Sequence, residues 1–348
     1  MEELIRAWDG EEVVVSYDRA SGAWMFVCIH STVLGPAGGG TRLQVYERPA
    51  EGLRDAMRLA GAMTLKMAAA DVPFGGAKAV LAVTEIPRGE ARRRLLLRYG
   101  ELASTLGGTF QTGPDVNTSI ADMDVIAERH GHVFCRSPEL GGSGDPGPYT
   151  ARGVFHGLRA SVARVYGSPD LDGRSVLVQG VGDVGRRLAE QLAGAGARVL
   201  VADVDAARAA EAAAAVGGEV VSPGDALTVE CDVYAPCALG GTLNAASIPA
   251  LRCRVVAGCA NNQLAEPEDA DRLRAAGILY APDFVINAGG VLHAWGTESL
   301  GWDAAAVEER LAGIGDTLNA IFDLAEAEGT STDAAALELA RARLAAAQ

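Results

Sequence analysis

The spacing of apolar and polar residues divides the chain into two regions of different type. In the N-terminal region, short β-rich runs alternate with helical patterns. The runs at residues 12–15 and 24–29 predict two strands. Apolar residues then recur on one face, beginning with Leu53 and Met57, and predict a helix over residues 49–69. This region is therefore expected to combine a sheet with helices.

A break follows the predicted helix. Pro73 lacks the backbone N–H that a helix needs, so the helix must end before it. Gly75 and Gly76 predict a tight turn, because paired glycines are typical of turns. The apolar residues 79–83 predict a strand directly after the turn. Lys78 consequently stands at the start of this strand.

The second region alternates strands and helices more strictly. It begins with a helix that carries Val154, Leu158 and Val162 at four-residue spacing. Beyond it, strands are predicted at residues 175–179, 198–202, 233–235, 255–257 and 278–280, and helices at residues 183–193 and 205–215. This alternation is typical of a parallel sheet covered by helices on both faces. The C-terminal residues have helical spacing, and we expect them to pack back across one or both regions.

Composition narrows the class of protein without specifying its chemistry. A chain of 348 residues is long enough for two domains. The net charge of −15 argues against a nucleic-acid partner, which requires clustered Lys and Arg. The six cysteines form no C-x-x-C pair, and the neighbouring His130 and His132 have no second pair to complete a metal site. We therefore expect reduced thiols and no bound metal.

The location of the protein is predicted from two features of the chain. The N-terminal segment lacks a basic stretch followed by an apolar core, which a signal peptide would have. The sequence also lacks an apolar run long enough to span a membrane. A cytoplasmic protein without a membrane partner is therefore expected.

A glycine motif follows the first strand of the second region. It is a G-x-G-x-x-G pattern between an apolar strand and a helix, formed by Gly180, Val181, Gly182, Asp183, Val184 and Gly185. Gly180 permits a tight turn, Gly182 lets a pyrophosphate approach the backbone, and Gly185 lets helix and strand pack closely. Free N–H groups at the helix start attract phosphate. The motif predicts a dinucleotide site; a glycine-rich turn without a ligand is the alternative.

An acidic residue ends the next predicted strand. Asp203 stands 23 residues after Gly180, a separation typical of a carboxylate that binds the adenosine ribose hydroxyls. It would also repel a 2′-phosphate, which favours NAD over NADP. Arg208 lies a few residues further on and keeps a preference for NADP open.

Two lysines of the first region lie among apolar residues. Lys66 is near the end of the helix predicted over residues 49–69, and Lys78 precedes a strand. Lysine seldom occurs in such surroundings unless it is paired or functional. Two ammonium groups in a dry cleft lower each other's pKa, so one can act as a base while the other binds a substrate carboxylate. Two unrelated lysines at the ends of secondary-structure elements are the alternative.

Asp115 lies in a turn punctuated by Gly113 and Pro114. This turn follows a predicted strand and precedes the acidic residues Asp122 and Asp124. From the residues alone, a carboxylate that caps the following helix is the simpler interpretation.

Seven segments together resemble the glutamate/leucine/phenylalanine/valine dehydrogenase family. They occur in order along nearly the whole chain, which makes the resemblance specific. The segments are residues 34–42 (LGPAGGGTR), 63–66 (MTLK), 75–78 (GGAK), 112–118 (TGPDVNT), 235–240 (APCALG), 258–263 (GCANNQ) and 280–290 (YAPDFVINAGG). The run of residues 113–118 also occurs in the phenylalanine dehydrogenase branch, which the chain resembles most closely.

The resemblance implies NAD-dependent oxidative deamination of an L-amino acid to a 2-oxo acid and ammonium. Lys66 would bind the α-carboxylate, and Lys78 would assist the attack of water on the imino acid. Asp115 would exchange protons with the amino group and the carbinolamine. The backbone at Gly39 and Gly40 would line the carboxylate site.

The same resemblance implies contacts with the cofactor. Asn262 would orient the substrate or the nicotinamide. The other residues along NAD would be Thr150, Cys237, Ala238, Ala260 and Asn261. Two segments depart from the family pattern. Ala77 replaces a glycine that usually precedes Lys78, and its methyl group could shift that lysine. Residues 147–149 differ from the Ser-Pro-Val often found before the threonine, which puts nicotinamide contacts there in doubt.

The size of the side-chain pocket bears on the substrate. The resemblance places Gly38 where leucine-specific relatives usually have leucine, and it places Gly113, Val291 and Ala294 at other positions of the pocket lining. Three of these four are small, and a pocket discriminates by roughly 1–3 kcal/mol per methylene. Nothing offers the cation that a glutamate side chain would need. Phenylalanine or another bulky apolar amino acid is therefore expected, with leucine or valine as the alternative.

The resemblance implies an α/β protein of two domains with a cleft between them. The N-terminal α/β substrate and oligomerisation domain is expected at residues 1–140, joined by C-terminal helices at about residues 325–348. A doubly wound Rossmann domain is expected at residues 141–324, after a glycine- and proline-rich junction at 141–148. Because the family is usually oligomeric, a homo-oligomer is expected.

Two other functions stay open. One is a catalytically inactive protein that binds NAD as a sensor or scaffold. The other is a dehydrogenase of a different small substrate such as a hydroxy acid. The second would need a histidine–carboxylate pair, and no histidine stands at a comparable turn.

Overall fold

The computed structural model describes residues 2–347 and divides into two units. The first unit contains the described residues up to Asp145, together with Ala294–Gly301 and the residues from Ala340 onwards. The second unit contains Pro146–His293 and Trp302–Leu339. Met1 and Gln348, at the ends of the predicted N-terminal domain, lie outside the described residues.

A five-stranded sheet forms the centre of the first unit. Its strands are β1 (Glu12–Asp18), β2 (Ala23–Ser31), β3 (Ala37–Val45), β4 (Gly75–Val83) and β5 (Phe110–Pro114). Its helices are α1 (Glu2–Ala7), α2 (Pro49–Ala69), α3 (Gly89–Ser104) and α4 (Ile120–Ala127), with short 3₁₀ turns at Gly107–Thr109 and Pro138–Leu140. The strand order is β1-β2-β4-β3-β5. Strand β2 is antiparallel to β1 and β4, whereas β3 is parallel to β4 and β5.

Helices cover both faces of this sheet. On one face, Val80 and Ala82 of β4 pack with apolar residues of α2 such as Leu53. On the other face, Ala79 and Leu81 pack with residues of α3 and α4. Because alternate residues of a strand share a face, Lys78 lies on the face that α2 covers. The fold therefore places a charged residue inside a layer made of apolar ones.

The tight turn predicted at Gly75 and Gly76 is wrong, because β4 already begins at Gly75. Neither glycine has a positive φ angle. A side chain at Gly75 would collide with the carbonyl of Ser31, and one at Gly76 would collide with Thr64 of α2. The two glycines permit close packing of β2 and α2 on β4 rather than a reversal of the chain.

The predicted helix over residues 49–69 is confirmed as α2. Pro49 occupies its first position, where a missing N–H costs no hydrogen bond. After Ala69 the chain leaves the helical conformation at Asp71, whose φ angle is 54°. Pro73, two residues later, cannot continue a helix in any case.

A six-stranded parallel sheet forms the centre of the second unit. Its strands are β6 (Ser175–Gln179), β7 (Arg198–Ala202), β8 (Glu219–Val220), β9 (Val233–Pro236), β10 (Val255–Val256) and β11 (Leu279–Tyr280). The remaining helices are α5 (Gly147–Tyr166), α6 (Asp183–Gly194), α7 (Ala206–Val216), α8 (Asp269–Ala275), α9 (Asp283–Ile286), α10 (Gly289–Ser299), α11 (Ala304–Glu328) and α12 (Thr332–Ala346), with a 3₁₀ turn at Ile248–Ala250. The predicted strands at 175–179 and 198–202 coincide with β6 and β7, and the later strands begin within one residue of their predicted starts.

The strand order of the second sheet is β11-β10-β9-β6-β7-β8. From β6 the chain proceeds outward through β7 and β8, and it then returns to the other side of β6 for β9. The order therefore reverses between β6 and β9, and open parallel sheets bind ligands at the carboxyl ends of strands at such a reversal. The glycine motif follows β6 at this point. Among the described residues, no helix is both long and apolar enough to cross a membrane.

Candidate functional site

Three charged side chains of the first unit meet because their strands are in register. One rung of paired residues crosses the sheet at Ala79 of β4, Thr41 of β3 and Pro114 of β5. Neighbouring residues along a strand face opposite sides of the sheet. The charged residues next to this rung are Lys78, Arg42 and Asp115.

Asp115 contacts both cations through different oxygens. Its Oδ1 lies 3.0 Å from Lys78 Nζ, and its Oδ2 accepts a hydrogen bond from Arg42 Nε at 2.8 Å. The Lys78 side chain is only 6% exposed. An unpaired ammonium buried to this degree would be strongly unfavourable. The carboxylate of Asp115 offsets that cost and fixes the position of the lysine.

The two cations also control the ionisation of Asp115. Burial raises the pKa of this carboxyl, but the positive charges of Lys78 and Arg42 outweigh burial and hold the pKa well below its ordinary value. Asp115 is consequently a carboxylate at neutral pH. In this state it can accept a proton but has none to donate.

The turn after β5 is held by Thr118 rather than by Asp115. The Thr118 hydroxyl accepts a hydrogen bond from the Asp115 N–H at 2.8 Å and donates to the Thr41 carbonyl at 2.8 Å. Ser119 is the N-cap of α4 and forms a capping box with Asp122. The capping role considered for Asp115 is therefore wrong, and its carboxylate bonds Lys78 and Arg42 instead.

The predicted carboxylate site lies at the same end of the sheet. A side chain at Gly40 would come within 2.8 Å of the Asp115 Cβ, and one at Gly39 would collide with the Ala77 carbonyl. These two glycines therefore bring the backbone of β3 close to both neighbouring strands. Lys66 is half-buried on α2, the helix that packs on the Lys78 face. Ala77 is fully buried without a positive φ angle, so its methyl group is accommodated in the extended strand.

Two of the predicted pocket residues lie beside an aromatic pair that the sequence pattern does not indicate. A side chain at Gly38 would come within 2.8 Å of the Trp295 ring, and one at Gly113 within 3.9 Å of it. The indole stacks on Phe134 with 4.7 Å between ring centroids, and its Nε1 donates to Gln111 Oε1 at 3.0 Å. The space at Gly38 is therefore bounded by a fixed aromatic wall. Trp295 carries no local sequence signal for this position.

The other two pocket candidates belong to α10. Ala294 is fully buried and lies in the first unit, directly before Trp295. Val291 is half-buried and lies in the second unit. The structure thus brings Gly38 and Gly113 together with Trp295 inside one unit.

The glycine motif of the second unit forms an open cradle. Gly180 has a φ angle of 95°, and a side chain there would come within 2.7 Å of Ala238. A side chain at Gly185 would collide with the Gly180 carbonyl. Gly182, by contrast, is exposed and has no atom within 4 Å of where a Cβ would stand. Two glycines are thus required by packing, whereas the middle one leaves free space at the start of α6, where Asp183 and Val184 follow.

Asp203 is fixed against this cradle. Its Oδ2 accepts a hydrogen bond from the Val181 N–H at 2.9 Å, and its Oδ1 accepts from the Asp205 N–H at 2.9 Å. Arg208 pairs with Asp205 at 3.2 Å and lies 3.7 Å from Asp203. The guanidinium is therefore engaged with carboxylates on this loop.

The remaining cofactor candidates follow the neighbouring strands. Cys237 and Ala238 follow β9, and a side chain at Gly185 would come within 3.2 Å of the Cys237 Cβ. Ala260 is buried and donates its N–H to the Pro236 carbonyl at 2.9 Å. Asn261 Oδ1 accepts a hydrogen bond from Asn287 at 2.9 Å.

Asn262 and Thr150 complete the set. Asn262 is exposed with a φ angle of 52°, and its carbonyl accepts from the Gly241 N–H at 2.7 Å. The Thr150 hydroxyl on α5 donates to the Pro146 carbonyl at 3.1 Å, and a side chain at Gly290 would press on it. The candidates after β6, β7 and β9 therefore share the carboxyl edge of the sheet.

Two family profiles match the chain. One is described as Glu/Leu/Phe/Val dehydrogenase, dimerisation domain, and matches residues 13–132. The other is described as Glutamate/Leucine/Phenylalanine/Valine dehydrogenase and matches residues 203–348. Together they span most of both units.

Individual proteins are similar over nearly the full length. Leucine dehydrogenase of Geobacillus stearothermophilus is 40% identical over 98% of this chain and 92% of its own length. Valine dehydrogenase of Streptomyces albus is 44% identical over 96% of this chain and 92% of its own. The crystal structure of L-tryptophan dehydrogenase from Nostoc punctiforme superposes with a TM-score of 0.84 at 37% identity, covering 100% of this chain and 99% of that one. The chain therefore belongs to the glutamate/leucine/phenylalanine/valine dehydrogenase family and is an NAD-dependent amino acid dehydrogenase with a two-domain α/β fold.

Proposed function

We propose that this enzyme oxidatively deaminates a bulky apolar L-amino acid, with Lys66, Lys78 and Asp115 as its reacting groups. The observation that carries the proposal is the ion pair of the buried Lys78 with the half-buried Asp115 on a glycine-lined face of the first sheet. A buried lysine–carboxylate pair has the two functions that deamination needs, a group that binds water and a group that accepts protons.

Each residue has a distinct role in the proposed reaction. Lys66 Nζ binds the α-carboxylate of the substrate, and the backbone at Gly39 and Gly40 lines that site. The Asp115 carboxylate accepts a proton from the substrate ammonium and later exchanges protons with the carbinolamine. Lys78 Nζ orients the water that attacks the imino acid. Asp115 enters the first of these steps without a proton, because the charges of Lys78 and Arg42 outweigh burial and lower its pKa.

The second unit provides residues that fit NAD. Gly182 leaves open space for a pyrophosphate beside the first N–H groups of α6. Asp203 presents its carboxylate at the end of β7, where ribose hydroxyls bind in such folds. Val204 and Leu239, which are 92% and 79% exposed, offer apolar surface for an adenine ring. NAD, when bound, takes up the hydride from the substrate Cα.

We propose phenylalanine as the preferred substrate class, with the ring in the space bounded by Gly38 and Gly113. Trp295 and Phe134 give this space an apolar aromatic wall, which disfavours an acidic side chain. A branched-chain substrate is the second candidate, because Trp295 already fills part of the space that Gly38 leaves open. The leucine, valine and tryptophan dehydrogenases among the relatives are compatible with either substrate.

A substrate panel separates these candidates. The purified enzyme is supplied with NAD and with L-phenylalanine, L-tryptophan, L-leucine or L-valine, and NADH formation is measured as kcat/KM. The highest value for L-phenylalanine supports the proposal. Higher values for L-leucine or L-valine would replace it by the branched-chain alternative. Activity with none of the four would overturn the proposed function.

One variant distinguishes a catalytic protein from one that only binds NAD. Lys78→Ala should abolish deamination because it removes the Nζ that holds the attacking water. NAD affinity, measured by calorimetry, should be retained. Full activity of this variant would contradict the role of Lys78.

We also propose that the chain forms a homo-oligomer. Its residues 13–132 match a profile described as a dimerisation domain. Within the described residues, β1 pairs only with β2, and its Val15 and Tyr17 side chains are exposed. An unpaired strand edge with apolar side chains favours association with another chain. Light scattering coupled to size-exclusion chromatography tests this, and a monomer at micromolar concentration would contradict it.

A further inference from the structure

Asp115 has a second cationic partner that the proposed reaction does not yet use. Arg42 Nε donates to Asp115 Oδ2 at 2.8 Å, on the opposite side of the carboxylate from Lys78. The side chains of Arg42 and Asp115 are 17% and 20% exposed. A charge-assisted hydrogen bond of this length, largely shielded from water, defines the rotation of the carboxylate.

Arg42 is itself held from behind by a second carboxylate. Its NH1 donates to Asp55 Oδ2 on α2 at 2.8 Å. The same Asp55 oxygen accepts from the Tyr46 hydroxyl at 2.7 Å, and Asp55 Oδ1 accepts from Arg58 at 2.9 Å. A planar guanidinium bonded to two carboxylates cannot rotate without breaking one bond. The network therefore connects α2 to Asp115 through Arg42.

We propose that Arg42 is a positioning residue that fixes Asp115 Oδ2, so that Oδ1, beside Lys78, is the oxygen that accepts the substrate proton. This inference rests on the proposed function. It adds that one oxygen of Asp115 is committed to Arg42. It also assigns to Arg42 the task of keeping the carboxylate ionised.

The charges that face Asp115 determine what removal of Arg42 does. Lys78 of β4 and Arg42 of β3 contact it directly, and Asp55 of α2 contacts Arg42; Arg58 contacts Asp55 on the side away from Arg42, and α2 also carries Lys66. Without Arg42, burial is opposed mainly by Lys78, so the pKa of Asp115 rises. A carboxyl that must be ionised to accept a proton then becomes active only at higher pH.

The test compares Arg42→Met, Arg42→Lys and Arg58→Met. Arg42→Met should lower kcat by about 10²-fold and move the acidic limb of the kcat/KM profile to higher pH. Arg42→Lys keeps the charge but cannot bond both carboxylates, so the limb should stay near its wild-type position while kcat is only partly restored. Arg58→Met is the matched control, because Arg58 contacts Asp55 but not Asp115 and is 53% exposed. It should leave the profile unchanged.

A second readout does not depend on activity. The carbon-13 resonance of the Asp115 carboxyl, assigned by its loss in Asp115→Asn, should titrate at a higher pH in Arg42→Met than in the wild type. If Arg42→Met shows this shift but the wild-type enzyme deaminates no tested amino acid, the proposed function is rejected and the positioning role of Arg42 is retained. An unshifted resonance in Arg42→Met, or the same shift in Arg58→Met, would overturn the inference. If Arg42→Met does not fold, Arg42→Gln, which also removes the charge but keeps a polar side chain, replaces it, with the same direction of shift expected.

Discussion

The candidate sites of the two units are formed by different kinds of groups. In the first unit, Lys78, Arg42 and Asp115 converge from three adjacent strands, and each buried charge is balanced by another. In the second unit, the cradle consists of backbone and of space that glycines leave, with Asp203 bonded to the N–H of Val181. A site of paired charges is suited to moving protons, whereas a backbone cradle is suited to holding a ligand.

This difference determines which property each site loses when one of its residues is substituted. Loss of one charge in the first unit leaves a buried partner uncompensated and changes the chemistry. A methyl group added to the cradle of the second unit changes the shape offered to the ligand. The first kind of substitution should therefore act on kcat, and the second on cofactor affinity.

The largest expected effect is that of Asp115→Asn. The amide has nearly the same shape, but it cannot accept a proton from the substrate ammonium. We expect kcat to fall by about 10²–10⁴-fold, the usual contribution of a positioned proton acceptor. NAD affinity should not change, because the cradle lies in the second unit. Stopped-flow measurement of NADH formation and calorimetry of NAD binding test the two halves of this prediction.

Glu128→Gln is the control for Asp115→Asn. Glu128 also pairs with an arginine of the first unit, Arg93, but on the exposed surface. It should leave kcat unchanged, since exposed pairs contribute little. A large loss of NAD affinity in Asp115→Asn would contradict the separation of roles between the two units.

The next effect concerns Gly182→Ala. No atom lies within 4 Å of the position of the added Cβ, so the variant should fold with wild-type stability. The methyl group nevertheless occupies space proposed for the pyrophosphate. We expect NAD affinity to fall by about tenfold or more, while kcat at saturating NAD changes little.

Gly185→Ala distinguishes loss of binding from loss of folding. Its added methyl group would collide with the Gly180 carbonyl, so thermal stability should fall together with NAD affinity. Equal stability losses in Gly182→Ala and Gly185→Ala would show that the middle glycine is also required by packing, contrary to the open cradle.

The second unit could be predicted from the sequence more completely than the first. Strands β6 and β7 have their predicted bounds, and Gly180 has the positive φ angle that a tight turn requires. These features depend on a strand, a turn and a helix that are adjacent in the chain. The prediction succeeds in this unit because one local segment contains all the residues on which it depends.

The first unit depends on contacts between distant residues. Arg42 and Asp115 are separated by 73 positions, and Trp295 and Gln111 by 184. Neither pair has a local pattern, although an arginine between Thr41 and Leu43 in a buried strand could have indicated the first. The sequence predicts a turn at Gly75 and Gly76, because paired glycines occur both at chain reversals and at sites of close packing. Only the register of β3, β4 and β5 shows which residues meet.

A smaller effect is expected for Trp295→Ala. Removal of the indole opens the space beside Gly38 and removes the partner of Phe134. The ratio of kcat/KM values for L-tryptophan and L-valine should increase by about tenfold, as expected for 1–3 kcal/mol of altered pocket contact. NAD affinity should be unaffected. An unchanged ratio would show that Trp295 does not bound the substrate side chain.

The smallest expected effect is a change of folding stability with pH, which should have opposite signs in the two units. His130 is buried in the first unit; burial and then His132 lower its pKa from 6.5 to about 4. The unfolded chain therefore binds a proton that the folded chain excludes, and stability falls as pH decreases from 6.5 towards 4. In the second unit, burial and then Asp283 raise the pKa of Asp333 from 3.8 to about 6. Its folded form gains stability as pH decreases through 6.

Hydrogen exchange resolves the two responses, because it reports the stability of each unit separately. Between pH 7 and 5.5, β4 should lose about 1 kcal/mol of protection and β6 should gain a similar amount, after correction for intrinsic exchange. His130→Gln should remove the loss in the first unit without affecting the second, and Asp333→Asn should remove the gain in the second. Parallel changes in both units would mean that the chain unfolds as one cooperative body. The difference between the unit with paired charges and the unit with a backbone cradle would then not apply to folding stability.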